Sequence, residues 1–203
     1  PHHIQTGQPG AATGGMQLVS NDGTSVQTLS PRPYYVTDIE VDHVNGHVYY
    51  SGHQGFTGIR RMDLDGSNDM QITTHAYNGF IALDIDRGKI YYTRDIFSDP
   101  SQYAKSVFQI DLDGSNQRQL TADAMVSWGP YFHPTGDYII YSSNILGNSN
   151  FELFMVDPAG ANPPVRVTNT EGTDILPVFS PDGSKLAWST TRTEDGTSQI
   201  FMS

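Results

Sequence analysis

One hairpin segment centred on a glycine occurs four times in this chain. The four glycines lie 43, 48 and 46 residues apart, and each is followed by an aliphatic residue and then a serine or threonine. A period of this length, built from short strands, is typical of β-propeller blades. The sequence therefore predicts an all-β fold of four-stranded antiparallel blades, with about four and a half blades present. The four segments are Ser20–Ser25, Asp63–Asn68, Asp111–Asn116 and Asp157–Asn162, and the pairs are Leu29-Ser30, Ile72-Thr73, Leu120-Thr121 and Val167-Thr168.

A second glycine recurs about halfway through each repeat, just before a short strand that contains aromatic residues. Asp-Gly and Thr-Gly steps supply the positive φ that tight hairpins need. The small, polar residues near the start of the chain predict a flexible linker over 1–15, followed by one propeller domain over 16–203. The predicted blade units are 16–36, 37–74, 79–121, 128–168 and 174–203, and the second glycines are Gly46, Gly88, Gly136 and Gly183.

The composition excludes several classes of protein. The formal net charge of −11 would repel phosphate backbones, so we expect no nucleic-acid partner. No apolar run approaches the 18 residues of a membrane-spanning helix, so we expect no membrane insertion. The absence of cysteine excludes disulfides, thiolate metal sites and a cysteine nucleophile.

Two kinds of repeat unit resemble known families. The segment Phe179–Ser189 resembles the repeat of TolB-like propellers, and Phe132–Asp137 is a looser copy of it. The segments Ile59–Ser67 and Ile81–Asp95 resemble the YWTD repeats of LDL-receptor-like propellers, although Tyr92 replaces the tryptophan of that motif. The resemblance implies a ring that usually has six blades, and periplasmic or extracellular use. We therefore expect this chain to be part of a longer one; a small ring closed by its own ends, or by association, is the alternative.

Neither repeat carries a catalytic signature. No Gly-x-Ser-x-Gly elbow is present, and Ser180–Gly183 is predicted to be a turn between strands. The acidic turns lack the spacing of a calcium loop, so we interpret them as hairpins. Histidines such as His75 and His133 fall in loops of different repeats, which does not predict a shared metal site. The sequence predicts no catalytic residue, no metal and no cofactor.

The loops that enter the innermost strand of each blade converge on one mouth of a propeller channel. In this chain they are rich in aromatic and polar residues, which commonly anchor protein interfaces. The leading prediction is a non-catalytic binding or scaffolding module that recognises a protein, a peptide or a glycan at this mouth. The predicted contact residues are Arg32, Tyr34, Tyr35, Asp38, His75, Tyr77, Asn78, Trp128, Glu171 and Asp174.

Two alternatives stay open at this point. The chain could be the propeller domain of a larger enzyme, such as a prolyl-oligopeptidase-like peptidase or a propeller lyase or hydrolase, with its catalytic residues elsewhere. It could also be a subunit of an extracellular assembly, in which open blade edges associate by strand addition. A downstream nucleophile elbow would favour the first alternative, and concentration-dependent oligomers would favour the second.

Overall fold

The described part of the chain consists of antiparallel β-sheets joined by turns and loops. The computed structural model describes residues 2–6, 16–20, 22–30, 35–53, 58–75, 78–96, 104–121, 125–147 and 150–203. These ranges contain eighteen strands and no α-helix, as the repeat pattern predicts. The chain divides into two compact units, Pro1–Gly79 and Phe80–Ser203. No helix in the described part of the chain has the length and apolar character needed to cross a bilayer.

The first unit contains two sheets, in which each strand pairs with the next strand along the chain. The three-stranded sheet consists of β1 (His2–Thr6), β2 (Met16–Ser20) and β3 (Val26–Ser30). The four-stranded sheet consists of β4 (Tyr35–Asp42), β5 (His47–His53), β6 (Ile59–Asp63) and β7 (Met70–Gln71).

The second unit repeats the same meander three times, again with neighbouring strands paired in chain order. Two of its sheets have four strands and the last has three. The strands are β8 (Asn78–Asp84), β9 (Lys89–Asp95), β10 (Lys105–Asp111) and β11 (Arg118–Gln119); β12 (Ser127–Phe132), β13 (Ile139–Ser143), β14 (Glu152–Val156) and β15 (Val165–Arg166); and β16 (Asp174–Phe179), β17 (Leu186–Thr190) and β18 (Gln199–Met202).

Aromatic and aliphatic residues of the middle strands form the core of each unit. Four of the five sheets have a buried aromatic side chain at the same position of their second strand. These residues are Tyr50 on β5, Tyr92 on β9, Tyr141 on β13 and Trp188 on β17. Burying a side chain of this size contributes about 2–3 kcal/mol to folding, which makes the middle strands the most stable part of each blade. In the first unit the core is Met16, Leu18, Leu29, Val48, Tyr50 and Met62; in the second it includes Tyr91, Val107, Ile139, Tyr141, Phe154 and Val156.

The repeated hairpin glycine makes a tight turn that approaches the neighbouring sheet. Gly66 has a φ of +85°, and its N–H donates to the Asp63 carbonyl oxygen at 2.9 Å. A Cβ at this position would lie only 2.4 Å from the Leu29 carbonyl oxygen. The glycine is therefore required both by the left-handed backbone and by the close packing of two sheets in the first unit.

The first strand corrects one expectation. His2–Thr6 forms β1 and pairs with Met16–Ser20, whereas the sequence predicts a linker over residues 1–15. The difference arises because strand pairing depends on an available neighbour, here the free edge of β2, and not only on local composition. Residues 7–15 lie outside the described part of the chain, and the proposed extent of one propeller domain over 16–203 stays a prediction.

Candidate functional site

Exposed apolar residues cluster on the first strands of the three sheets of the second unit. In a propeller the first strand of each sheet is the inner strand. Phe80 on β8 is 37% exposed, and Leu176 and Val178 on β16 are 42% and 40% exposed. The Trp128 ring on β12 lies 5.1 Å from the Phe80 ring and 6.1 Å from the Phe151 ring, centroid to centroid. We call Phe80, Trp128, Leu176 and Val178 the inner-strand surface; Phe151, which precedes β14, contacts it through the Trp128 ring.

Backbone bulges fix the position of this surface. The pairing of β12 with β13 shifts register between Trp128 and Tyr131, and the pairing of β16 with β17 shifts between Ile175 and Val178. Such bulges redirect side chains and bend the strand. They place Trp128 and Leu176 beside the points where successive sheets meet.

A hydroxyl group links each bulge to the preceding sheet. The Gly129 N–H donates to Thr93 Oγ1 at 3.2 Å, and the Leu176 N–H donates to Ser142 Oγ at 3.1 Å. Both acceptors are buried. Each follows the buried tyrosine of its second strand, so a Tyr-Thr or Tyr-Ser pair in the sequence marks this acceptor.

The carboxylate of Asp174, a predicted contact residue, is buried and fully engaged. Trp188 Nε1 donates to Asp174 Oδ1 at 3.1 Å, and Arg192 Nη2 donates to Asp174 Oδ2. The Arg192 guanidinium also lies over the Trp188 and Phe201 rings. This arrangement stabilises the last sheet and leaves no carboxylate oxygen of Asp174 facing a ligand.

The preceding sheet contains a comparable buried carboxylate. Glu152 accepts hydrogen bonds from Arg166 Nη2 and Thr168 Oγ1, each at 2.6 Å. A buried carboxylate is tolerated only when it is paired and hydrogen-bonded in this way. These carboxylates therefore belong to the framework of the sheets and not to an acid–base pair.

The other predicted contact residues are distributed over both units. Trp128 lies at the centre of the inner-strand surface, and Glu171 is exposed in the loop that leads into β16. In the first unit, Asp38 lies on β4 and accepts the Ile39 N–H at 3.0 Å, and His75 follows β7. Arg32, Tyr34 and Tyr77 lie outside the described residues, as do the side chains of Tyr35 and Asn78.

One carboxyl group in the first unit has a strongly shifted ionisation. Burial, with a smaller contribution from the nearby Asp38 charge, raises the pKa of Glu40 to about 7. Asp38 and Glu40 are two residues apart on β4, so their side chains lie on the same face of the strand. Glu40 therefore titrates near neutral pH, at a position that sequence reasoning did not single out.

The acidic turns use their carboxylates internally. Asp65 Oδ1 accepts the Ser67 N–H at 2.8 Å and the Ser67 hydroxyl at 2.6 Å, and Asp63 Oδ2 accepts from Asn68 Nδ2 at 2.7 Å. Hydrogen bonds from Ser67 hold the pKa of Asp65 below its ordinary value. Within the described ranges, no three histidine or carboxylate side chains cluster in a way that could hold a metal ion.

Comparison with solved structures supports the architecture. TolB from Acinetobacter baumannii superposes with a TM-score of 0.77 at 18% identity, covering 99% of this chain and 49% of that one. A protein assigned as TolB from Agrobacterium tumefaciens gives a TM-score of 0.73 at 16% identity, covering 92% of this chain and 69% of that one. The chain has a TolB-like propeller fold. The prediction of an all-β propeller with incomplete blades is thereby confirmed.

The YWTD resemblance of the earlier repeats has a structural counterpart. A chain of a nidogen–laminin complex matches with a TM-score of 0.68 at 14% identity, covering 94% of this chain and 72% of that one. No protein-family profile and no curated protein match the sequence. Because the chain spans about half the length of the Acinetobacter TolB and the identities are low, these similarities establish the fold alone.

Proposed function

We propose that this chain is a non-catalytic binding module that recognises a segment of another protein at the inner-strand surface. The observation that carries the proposal is the contact between the Phe80 and Trp128 rings, both partly open to solvent, with the exposed Leu176 on the first strand of the next sheet. Large aromatic side chains that remain partly exposed supply most of the binding free energy at protein interfaces. Their location on inner strands favours a peptide segment or loop as the bound element.

The framework around the cluster supports a rigid binding surface. Hydrogen bonds between neighbouring sheets hold the backbone at Gly129 and Leu176. Within the last two sheets, the buried carboxylates of Glu152 and Asp174 are paired with arginine. A surface held in this way loses little conformational entropy when a partner binds. Glu171 is exposed in the loop that leads into β16, the strand of Leu176 and Val178.

Panning of a random-peptide phage library on the immobilised protein tests the proposal. Selected peptides are synthesised and titrated by calorimetry against the wild type and against Trp128→Ala and Phe80→Ala. We expect each substitution to weaken binding by about tenfold or more, since each removes an aromatic contact of about 1.5 kcal/mol or more. Val165→Ala, which truncates an exposed residue of the outer strand β15, is the matched control and should bind as the wild type does.

Equal affinity in the wild type and both aromatic variants would contradict the proposed surface. Circular dichroism of each variant separates loss of binding from loss of fold. Phe80 is partly exposed and Trp128 is only partly buried, so both truncations should leave the strand spectrum unchanged.

The similarity to TolB-like repeats favours a periplasmic or extracellular site of action for this module. Fusion of the full-length protein to a reporter that is active only outside the cytoplasm would test this localisation.

A propeller domain of a larger enzyme is the second candidate. The tricorn protease gives a TM-score of 0.59, with 18% of that chain covered, and a hydrazine synthase gives 0.62, with 55% covered. Both are enzymes by name, and the matched part is only a fraction of each. If the full-length protein has hydrolytic activity that this chain lacks, and Trp128→Ala alters KM but not kcat, the propeller acts as a substrate-selecting domain of an enzyme.

A further inference from the structure

Leu176 has a backbone conformation that is unfavourable for leucine. Its φ is +55°, in the left-handed region, where a Cβ substituent crowds the following carbonyl oxygen. The structurally equivalent position of the preceding sheet is Gly129, with a φ of +61°. Both residues lie at the bulge of their strand, and each donates its N–H to a hydroxyl of the sheet before it. Glycine at this position therefore makes the same interaction without strain.

Packing within the protein accounts for only part of the leucine side chain. The side chain is 42% exposed. Its Cδ2 lies 3.5 Å from where a Cβ on Gly129 would be, so the missing side chain of Gly129 leaves room for it. Strained residues persist where the surrounding structure holds them in place, and they cluster at functional sites. The exposed leucine side chain, and not the backbone turn, is therefore the feature that needs a functional reason.

We propose that Leu176 is a specificity-determining contact of the inner-strand surface, where it meets an apolar side chain on an extended, basic segment of a partner protein. The inference rests on the proposed function and names the partner chemistry. Leu176 and Val178 are exposed on β16, and the partly buried Trp128 lies on β12, the first strand of the preceding sheet. An apolar side chain placed between them is removed from water, and this burial supplies the affinity.

The net negative charge of the chain favours a positively charged partner segment. Twenty-two acidic residues stand against eleven lysines and arginines, a formal net charge of −11. A field of this sign accelerates the approach of cationic segments and repels acidic ones. The favoured occupant is therefore a segment in which lysine or arginine alternates with leucine or a similar apolar residue, as in an extended strand.

Calorimetry with defined peptides tests this inference. The probe is a capped hexapeptide that alternates lysine and leucine, and the reference peptide replaces each leucine by glycine at the same charge. We expect the wild type to bind the lysine–leucine peptide. It should bind the reference peptide at least about tenfold more weakly. Leu176→Gly should bind the probe at least about tenfold more weakly than the wild type, with a melting temperature equal to or above the wild-type value.

Two further variants make the result specific. Leu176→Asn introduces a residue that tolerates the left-handed region, and it removes the apolar side chain. It should therefore lose affinity as Leu176→Gly does. Leu146→Gly makes the same change at a leucine that is 56% exposed in the turn after β13, and it should bind as the wild type does.

The outcomes separate this inference from the proposed function. If Trp128→Ala loses affinity while Leu176→Gly and Leu176→Asn bind normally, the role of Leu176 is refuted and the proposed surface stands. If the wild type does not bind the probe although selected peptides bind at Trp128, the basic partner is refuted. If no peptide depends on Trp128, the proposed function itself fails. A fall in melting temperature with Leu176→Gly would make the leucine structural, and self-association abolished by Leu176→Gly would assign the surface to a second copy.

Discussion

Glu40 is a residue whose protonation is linked to folding. The pKa of its carboxyl is raised from 4.5 to about 7 by burial and by the Asp38 charge. A carboxyl whose pKa is higher in the folded state favours folding most below pH 4.5, and this contribution is lost as the pH rises to about 7. We expect Glu40→Gln to raise the free energy of unfolding at pH 8 by about 1–2 kcal/mol, after allowance for partial exposure, and to have little effect at pH 4.5.

Urea unfolding at pH 4.5, 6 and 8 measures this difference. Glu194→Gln removes an exposed carboxyl of the same unit charge and is the matched control. Its stability should follow the pH dependence of the wild type. Parallel curves for Glu40→Gln and the wild type would show that Glu40 ionises normally in the folded protein.

The Ser142 hydroxyl forms a hydrogen bond between two neighbouring sheets. Its Oγ is buried and accepts the Leu176 N–H at 3.1 Å. Ser142→Ala leaves that N–H without this acceptor, so we expect the free energy of unfolding to fall by about 1–2 kcal/mol. Ser142→Thr keeps the hydroxyl and introduces the residue type found at the equivalent Thr93, which should restore most of the stability. Chemical denaturation of the three proteins measures both effects, and equal loss in the alanine and threonine variants would exclude the hydrogen bond as the cause.

At the scale of the element, the outer strands are too short to hold their places by ladder hydrogen bonds alone. β7, β11 and β15 contain two residues each. A threonine that follows each strand accepts a buried N–H of the third strand, at 2.8, 3.0 and 2.9 Å. The acceptors are Thr73, Thr121 and Thr168. In these three repeats, the aliphatic–hydroxyl pair found in the sequence therefore attaches the outer edge of the blade.

Replacement of one of these threonines tests its role. Thr121→Val keeps the shape of the side chain but removes the acceptor for the Val107 N–H. Because that N–H is buried, we expect the free energy of unfolding to fall by about 1–3 kcal/mol and the Val107 amide to exchange faster with solvent. Thr121→Ser should retain most of the protection. Hydrogen exchange measured amide by amide would contradict the assignment if only distant amides changed.

The hairpins were predictable from the sequence, and the contacts between sheets were not. An Asp-Gly step specifies its turn locally, as Gly66 and Gly114 do. The bulges at Gly129 and Leu176 depend on a hydroxyl of another sheet, and Leu176 is not a residue that a turn rule would select. β1 was missed for a related reason, since its pairing partner and not its composition makes it a strand.

At the scale of the whole molecule, the repeat predicted the architecture correctly, and the predicted contact residues stay a prediction. Trp128 was selected because tryptophan in an inner-strand loop is typical of interfaces, and it lies in an exposed aromatic cluster. Asp174 was selected by the same rule, yet it is buried beneath Arg192 and Trp188. Sequence position alone does not distinguish a carboxylate that faces solvent from one that is paired inside a sheet, because the pairing arginine comes from a later loop.

The net charge leads to a last prediction about the whole chain. With a formal charge of −11, the protein should attract the lysine–leucine hexapeptide over distances of several ångströms, and dissolved salt should screen this attraction. We expect the association rate to fall by about tenfold when the salt concentration rises from about 0.05 M to about 0.5 M, with a smaller change in the dissociation rate. Surface plasmon resonance measures both rates. An uncharged peptide with serine in place of lysine is the control, and its rates should be nearly independent of salt. If the charged peptide were equally insensitive, the apolar wall of Trp128 and Leu176 would account for its affinity, and the acidic charge would have no part in selecting the partner.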